Sequence, residues 1–312
     1  MNQLQKMVER ANSIAIAGHI RPDGDCVGSN MALYGYIRSV YPDKTVVVYL
    51  EEIPHSFDYL RREDAYVQKE TEYDLFVSLD CGDLERLGEA AFIFKQAKST
   101  INIDHHISNT NFAMENIVIP DASSSCEVLF TLLEEEKIDF GVAVALYTGI
   151  IHDTGVFKHS CTSRKTMEVA GRLMEKGIPF GKIIDESFYL KSYTQLQILG
   201  RCLLESIRIM DETCIFSVVS EQMLQFYEAK PSDLDGVIDQ MRTTEKIEVA
   251  ILLVEKAAGQ YKVSMRSNGK VNVSRICQFF GGGGHILAAG CTIDGSQYDV
   301  INNLTRHIEA QL

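Results

Sequence analysis

The sequence predicts an α/β protein in two parts: a doubly wound, mostly parallel sheet first, then a smaller α+β domain. Three observations carry this. A chain of 312 residues suits two domains of about 100 to 200 residues each. Up to residue 190, short β-branched or aromatic runs alternate with helix-period stretches, which places helices on both faces of a parallel sheet. After that point strand-like runs follow one another across tight turns.

Taken in order, Leu4, Met7, Val8 and Ala11 have the spacing of a docked helix, not of a signal-peptide core. Ser13–Ala17 reads as a short buried strand, followed by a glycine-containing turn and a helix from about Gly28 to Val40. Val46–Leu50, Leu75–Leu79 and Thr100–Asp104 read as further strands. Ser124–Lys137, Val142–His152 and Ser163–Lys176 carry helical periodicity. The pattern loosens over Gly177–Leu190, and Ser192–Glu205 reads as a connecting helix. The expected domains are therefore 1–190 and 211–312, with 191–210 between them. In the second, Cys214–Val219, Ile247–Glu255 and Tyr261–Arg266 read as strands and Asp233–Met241, Val273–Phe280 and Gln297–Leu312 as helices.

Composition narrows the function. No apolar run approaches the roughly 18 residues of a membrane span. The eight cysteines include no CxxC pair, which argues against a zinc knuckle and fits reduced thiols in the cytoplasm. Thirty basic against 43 acidic residues leave a net charge of −13, which excludes a broad groove for long duplex nucleic acid. An anionic substrate would need locally placed positive charge. Between Glu255 and Asp294 there is no acid, while Lys256, Lys262, Arg266, Lys270 and Arg275 fall there.

Ligands of open α/β sheets sit beyond the carboxyl ends of the strands, and the chemically interesting residues fall at those ends. Gly18-His19-Ile20-Arg21-Pro22-Asp23-Gly24-Asp25 follows the first strand, Asp80 ends Leu75–Leu79, and Asp104-His105-His106 closes the next strand. His152-Asp153-Thr154-Gly155 ends a helix. Each alone has an ordinary reading as a cap or a turn; the four together point to a dinuclear metal site. Four clustered carboxylates, Asp23, Asp25, Asp80 and Asp153, are costly without compensating cations. Mixed aspartate and histidine without thiolate suits Mn²⁺ first, then Fe²⁺, Co²⁺ or Mg²⁺. Two metals about 3.5–4 Å apart serve phosphoester hydrolysis.

The segments GHIRPDGDCVGSN (18–30), DCGD (80–83), DHH (104–106) and HDTGVF (152–157) resemble the four motifs of the DHH phosphoesterase superfamily. SMRSNG (264–269) and GGGGHILAAG (281–290) resemble its DHH-associated C-terminal domain. The two-domain length is similar to the NrnA type, bifunctional oligoribonucleases and pAp phosphatases. RecJ-type exonucleases are longer, and family II pyrophosphatases lack GGGH. Cys26 stands where alanine is more usual.

The resemblance implies that His19, Asp23 and Asp80 bind one metal and Asp25, Asp80, His105 and Asp153 the other, with Asp80 bridging. Asp80, Asp104 and His106 become the catalytic set, Asp104 fixing an imidazole and His106 acting on the scissile phosphate as hydrogen-bond donor or general acid. Asp83 and Arg86 form either a supporting ion pair or a solvated one. Arg266, Ser267, Gly283, Gly284 and His285 become the substrate-binding set, the glycines leading into a helix-like His285–Ala289 as at an anion-binding helix N-terminus. Lys256, Lys262 and Lys270 are read as solvated, and His55, His159 and His307 as surface or core histidines. His152 is read either as a core histidine or as support for the metal site.

The expected function is a Mn²⁺-dependent phosphodiesterase acting on short RNA and dinucleotides in an interdomain cleft, with 3′-phosphatase activity on pAp. The rival readings are a dedicated pApA or pGpG phosphodiesterase, a nucleotide sensor without catalysis, and transfer-RNA binding. The apolar stripes in 192–205 and 221–227 are expected to pack between domains or to form a homodimer surface.

Overall fold

Short, mainly apolar runs build the first sheet, with a few buried polar residues such as Ser78 and Asn102 among them. The computed structural model describes residues 1–66 and 72–312. The chain divides into two units, Met1–Leu190 and Lys191–Leu312.

In the first unit the order is α1 (Gln3–Arg10), β1 (Ser13–Ala17), α2 (Gly24–Val40), β2 (Thr45–Tyr49), β3 (Leu75–Leu79), α3 (Ala90–Gln96), β4 (Ser99–Asp104), β5 (Glu115–Val118), α4 (Ser125–Leu132), α5 (Phe140–Asp153), α6 (Arg164–Glu175) and α7 (Phe180–Ile184). The sheet order is β2-β1-β3-β4-β5, and every adjacent pair is parallel. All residues of β1 and β3 are buried, as expected for strands covered on both faces. The chain steps from β1 out to β2 and returns to β3 on the other side of β1. The strand order therefore reverses between β1 and β3, the crevice where such sheets bind ligands.

α2 is buried along most of its length because it lies against α5 at close range. A Cβ on Gly28 would stand 2.6 Å from the Ala145 carbonyl oxygen, and one on Gly149 would stand 2.3 Å from Cys126 Sγ. Glycine at both positions lets the helices approach this closely. α2 begins at Gly24, one turn before the expected Gly28, because Asp23 caps it by accepting from the Asp25 and Cys26 N–H groups. β5 and α3 carry too little periodicity to be read from sequence. Over Gly177–Leu190 the chain forms α7 and a π-helical turn, Asp185–Tyr189.

The second unit contains α8 (Tyr193–Leu204), β6 (Ile207–Ile209), β7 (Cys214–Val219), α9 (Glu221–Phe226), α10 (Val237–Arg242), β8 (Val249–Ala257), β9 (Gln260–Ser267), α11 (Val273–Phe279), β10 (Gly283–His285), β11 (Ala288–Asp294) and α12 (Gln297–Glu309). Its sheet order is β10-β11-β9-β8-β7-β6, antiparallel except for β7 against β8. Val273, Ile276, Val300 and Leu304 pack one core; Ile198, Cys202, Val237 and Met241 pack another. α8 buries Ile198 and Cys202 while Tyr193, Leu196 and Leu204 stay exposed.

Two expectations are corrected here. The single helix Asp233–Met241 is instead a 3-10 turn, Pro231–Leu234, and α10, separated at Gly236 by a left-handed φ of +86°. The helix-like His285–Ala289 is instead a hairpin of β10 and β11. Leucine and alanine favour a helix locally, but Ala288–Asp294 pairs residue by residue with Arg266–Gln260 of β9. Tertiary pairing overrides local propensity there.

Candidate active site

The carboxyl ends of β1, β3 and β4 deliver His19, Asp80 and Asp104–His106 side by side at the strand-order reversal. The His19 Nε2 lies 3.5 Å from Asp80 Oδ2 and 3.7 Å from Asp23 Oδ2. On the other side of Asp80, His105 Nε2 lies 3.7 Å from Asp80 Oδ1 and 3.0 Å from Asp153 Oδ2. Asp25 joins His105 and Asp153 within 4.8 Å. Asp80 thus stands between two imidazoles, each with further carboxylates. It holds a left-handed φ of +55°, a strained conformation for a non-glycine residue and common at functional sites.

The backbone orients each donor. His19 Nδ1 is 2.8 Å from the Ile20 carbonyl, and His105 Nδ1 is 3.3 Å from the Ala122 carbonyl. A carbonyl only accepts, so Nδ1 carries the hydrogen in both rings and Nε2 faces the carboxylates. The Asp25 carboxylate accepts from the Ser125 and Cys126 N–H groups at the first turn of α4, at 2.6 and 2.9 Å. Asp80 accepts from the Ser125 hydroxyl at 3.1 Å.

Charge has collected here without lysine or arginine. Among the described residues, Asp23, Asp80, Asp104 and Asp153 make ion pairs only with histidines. Burial, then the Asp80 and Asp153 charges, push Asp25 well above the usual carboxylate range. Burial and Asp80 also raise Asp153, against the pull of His105. Burial opposes charging of His105, but Asp153, Asp25 and Asp80 outweigh it and raise its pKa to about 10. His19 is raised in the same way by Asp23 and Asp80. Buried carboxylates repelling one another, with two imidazole nitrogens turned toward them, are a donor set that divalent cations fit. Cys26 lies among them, yet burial pushes its thiol up to about 12, so it packs as a small neutral residue.

Asp104 is placed differently. It is fully buried and its oxygens are taken by His106 Nδ1 at 2.7 Å, the His105 N–H at 2.8 Å and Asn109 Nδ2 at 2.6 Å. Burial works against its charge, but the His106 and Asn109 hydrogen bonds prevail and hold its pKa at about 2. Asp104 in turn raises the His106 pKa. Asn109 and the buried Asn102 are bonded to each other at 2.8 Å and brace the loop. Asp83 accepts from the Arg86 backbone N–H at 3.0 Å, and no ion pair joins the two among the described residues, so the expected pair is corrected to a turn cap. His152 packs edge-on against Phe57 and bonds Ser187 at 3.1 Å, with burial lowering its pKa to about 4: a neutral core histidine. His55 pairs with Asp58, His159 bonds the Asp153 carbonyl, and His307 packs at a tilt against Phe279.

In the second unit, His285, Ala288, Arg266 and Ala250 lie opposite one another across β10, β11, β9 and β8. Directly opposed residues share a sheet face, so His285 and Arg266 project to the same side. Ser267 is buried, and its hydroxyl donates to Glu248 at 2.8 Å; it braces the strand end and does not reach solvent. Gly281, at φ +75°, lies just past α11, and the Gly282 N–H closes on the Cys277 carbonyl at 2.8 Å. A Cβ on Gly284 would meet the Ala288 carbonyl at 2.6 Å, whereas Gly283 has open space.

Comparison with known proteins agrees with this architecture. The model of the DHH family N-terminal domain matches residues 13–150, and that of the DHHA1 domain matches residues 213–312. The chain carries a DHH family N-terminal domain followed by a DHHA1 domain. A Thermus thermophilus protein named bifunctional oligoribonuclease and PAP phosphatase NrnA is 28% identical over 92% of this chain and 86% of its own length. The Bacillus subtilis protein of the same name is 25% identical over 93% of this chain and 92% of its own. A crystal structure of an exopolyphosphatase-related protein from Bacteroides fragilis superposes with a TM-score of 0.84 at 25% identity, covering 98% of this chain and 94% of that one.

Within this chain, sequence reasoning missed four supporting side chains: Ser125, Asn102, Asn109 and Glu127. Glu127 is buried and accepts from Ser123 Oγ at 2.6 Å and Thr166 Oγ1 at 2.7 Å, fixing the serine run that caps α4. The one usable signal was Ser123-Ser124-Ser125 at a helix start, with an acid two residues on. No helix among the described residues is long and apolar enough to cross a membrane.

Proposed function

We propose that this protein is a metal-dependent phosphodiesterase that hydrolyses short oligoribonucleotides and linear dinucleotides to mononucleotides and removes the 3′-phosphate of pAp. The convergence of His19, Asp23, Asp25, Asp80, His105 and Asp153 around one buried aspartate carries this reading. His19, Asp23 and Asp80 would hold one divalent ion and Asp25, Asp80, His105 and Asp153 the other, Mn²⁺ suiting the mixed imidazole and carboxylate set. Such ions polarise a phosphoryl oxygen and lower the pKa of a coordinated water.

The chain's own groups do the rest. Asp104 fixes His106 through Nδ1, which directs Nε2 outward to donate to the leaving oxygen. Asp25 is locked by two N–H groups, so its geometry needs no reorganisation when substrate arrives. Arg266 and His285, on one sheet face, bind a substrate phosphate, with the open backbone of Gly283 beside them. A net charge of −13 repels long polyanions and leaves binding to these few local cations. The NrnA relatives, named for oligoribonuclease and PAP phosphatase activity, support the same substrates. Eight free thiols suit a reducing cytoplasm.

The test is incubation of the purified protein with pApA, pGpG, RNA dimers and pAp in Mn²⁺. Mononucleotide release from the dinucleotides that disappears in Asp80→Ala is expected. No release, or release unchanged by Asp80→Ala, contradicts the reading.

A further inference from the structure

Arg266 is not a free surface arginine. Its Nε donates to Asp239 Oδ1 at 3.1 Å, and its Nη1 donates to the Met265 carbonyl at 3.2 Å. Asp239 comes from α10, outside both glycine- and arginine-bearing motifs of this unit. The same helix is tied to the end of β9 a second time: Arg242 Nη1 donates to Asn268 Oδ1 at 3.0 Å, and Asn268 Nδ2 donates back to the Arg242 carbonyl at 3.1 Å. α10 therefore holds Arg266 and the turn that follows it as one rigid piece.

We infer that Asp239 is a positioning residue for substrate binding: it fixes the Arg266 guanidinium by its Nε edge so that the remaining Nη hydrogens present a preset fork to a phosphate. The inference rests on the proposal that Arg266 binds a substrate phosphate. Arginine has a long, rotamer-rich side chain, and holding it in place before binding removes an ordering cost that would otherwise weaken affinity. A guanidinium offers five N–H donors in a planar fork. With Nε and one Nη1 hydrogen engaged, three donors remain, enough for a two-pronged grip on two phosphate oxygens. The arrangement has an electrostatic cost, because Asp239 carries a charge of the same sign as the substrate. Charge alone thus predicts tighter binding when Asp239 is neutralised; positioning predicts weaker binding. The two accounts have opposite signs, so one measurement separates them.

The experiment is a double-mutant cycle on the full-length protein, with pApA and Mn²⁺, reading KM and kcat for wild type, Asp239→Asn, Arg266→Ala and the pair. The Asp239 side chain is 49% exposed, so the neutral isostere folds, and a thermal melt of each variant checks this; Asp239→Glu provides a second, charge-retaining variant. Expected is a rise in KM of about three- to tenfold for Asp239→Asn with kcat held within about twofold. Asp239→Glu restores part of the loss, and Asp239→Asn adds nothing in the Arg266→Ala background. If Arg266→Ala raises KM but Asp239→Asn lowers it, leaves it unchanged, or adds its effect independently, the positioning role is wrong while phosphate binding by Arg266 stands. If Arg266→Ala itself leaves KM unchanged, the reading of Arg266 as a phosphate ligand fails, and the inference with it.

Discussion

The polar clusters of the two units are built on opposite principles. In the first unit three of the functional carboxylates are sealed from water, Asp25 and Asp104 at 0% exposed and Asp80 at 2%, while Asp23 at the rim is exposed. They are held by N–H groups of a helix start and by a strained backbone. In the second unit Arg266 keeps 29% of its side chain exposed and His285 is exposed, and strand register aligns them. Burying like charges is unfavourable for the folded chain and useful only if cations join them. Placing cations at a surface costs the fold little and leaves them free to meet a polyanion. Changes in the first cluster should therefore separate activity from stability, and changes in the second should act on KM.

The largest effect is expected from Asp80→Asn. Activity should fall on the order of 10³-fold, while the metal-free protein melts at the same or a higher temperature because repulsion with Asp25 and Asp153 is relieved. A lower melting temperature with activity retained would reverse the comparison. Next is Gly149→Ala, whose Cβ would stand 2.6 Å from Asp25 Oδ1 and 2.3 Å from Cys126 Sγ. Displacing that carboxylate should cost about 2 kcal/mol of stability, in the range of overpacked cores, and activity should fall with it; chemical denaturation and initial rates check both.

In the second unit, Gly284→Ala meets the Ala288 carbonyl at a φ of +141° and should destabilise the hairpin by about 1–3 kcal/mol. Gly283→Ala meets nothing, so melting should not change while KM rises if phosphate approaches that backbone. Equal melting shifts for the two would show that the hairpin geometry is not limiting. The smallest effect is a pH control remote from both clusters. Asp74 is held at about 2 by Lys98 first and then by the Asn12 N–H. Its contribution is fully present above the unfolded carboxylate pKa of about 3.9 and lost as pH falls toward 2. Asp74→Asn should therefore lower stability at pH 7 by under about 1 kcal/mol, with the difference shrinking as pH falls through 2 and gone below it.

Sequence made the parallel strands legible because Ser13–Ala17 and Leu75–Leu79 are short, mainly apolar runs, and it placed His19, Asp80 and Asp104–His106 at strand ends. The structure brings those residues together with Asp23 and Asp25 at the start of α2 and with Asp153 at the end of α5. What stayed hidden was long-range. Nothing local marks Asn109 as a partner of Asp104 or Asp239 as a partner of Arg266, since each contact depends on folding elsewhere. The hairpin at Gly283–Asp294 was hidden for the same reason: His285–Ala289 read alone favours a helix, and only the register against β9 decides otherwise.

The most direct measurement is the divalent metal content of the purified protein, by elemental analysis after Mn²⁺ loading and exhaustive dialysis, for wild type and Asp80→Asn side by side. Two ions per wild-type chain and fewer than one in Asp80→Asn are the expected result. Wild-type protein that retains no metal, or Asp80→Asn that retains the same amount, would contradict a dinuclear centre built around Asp80.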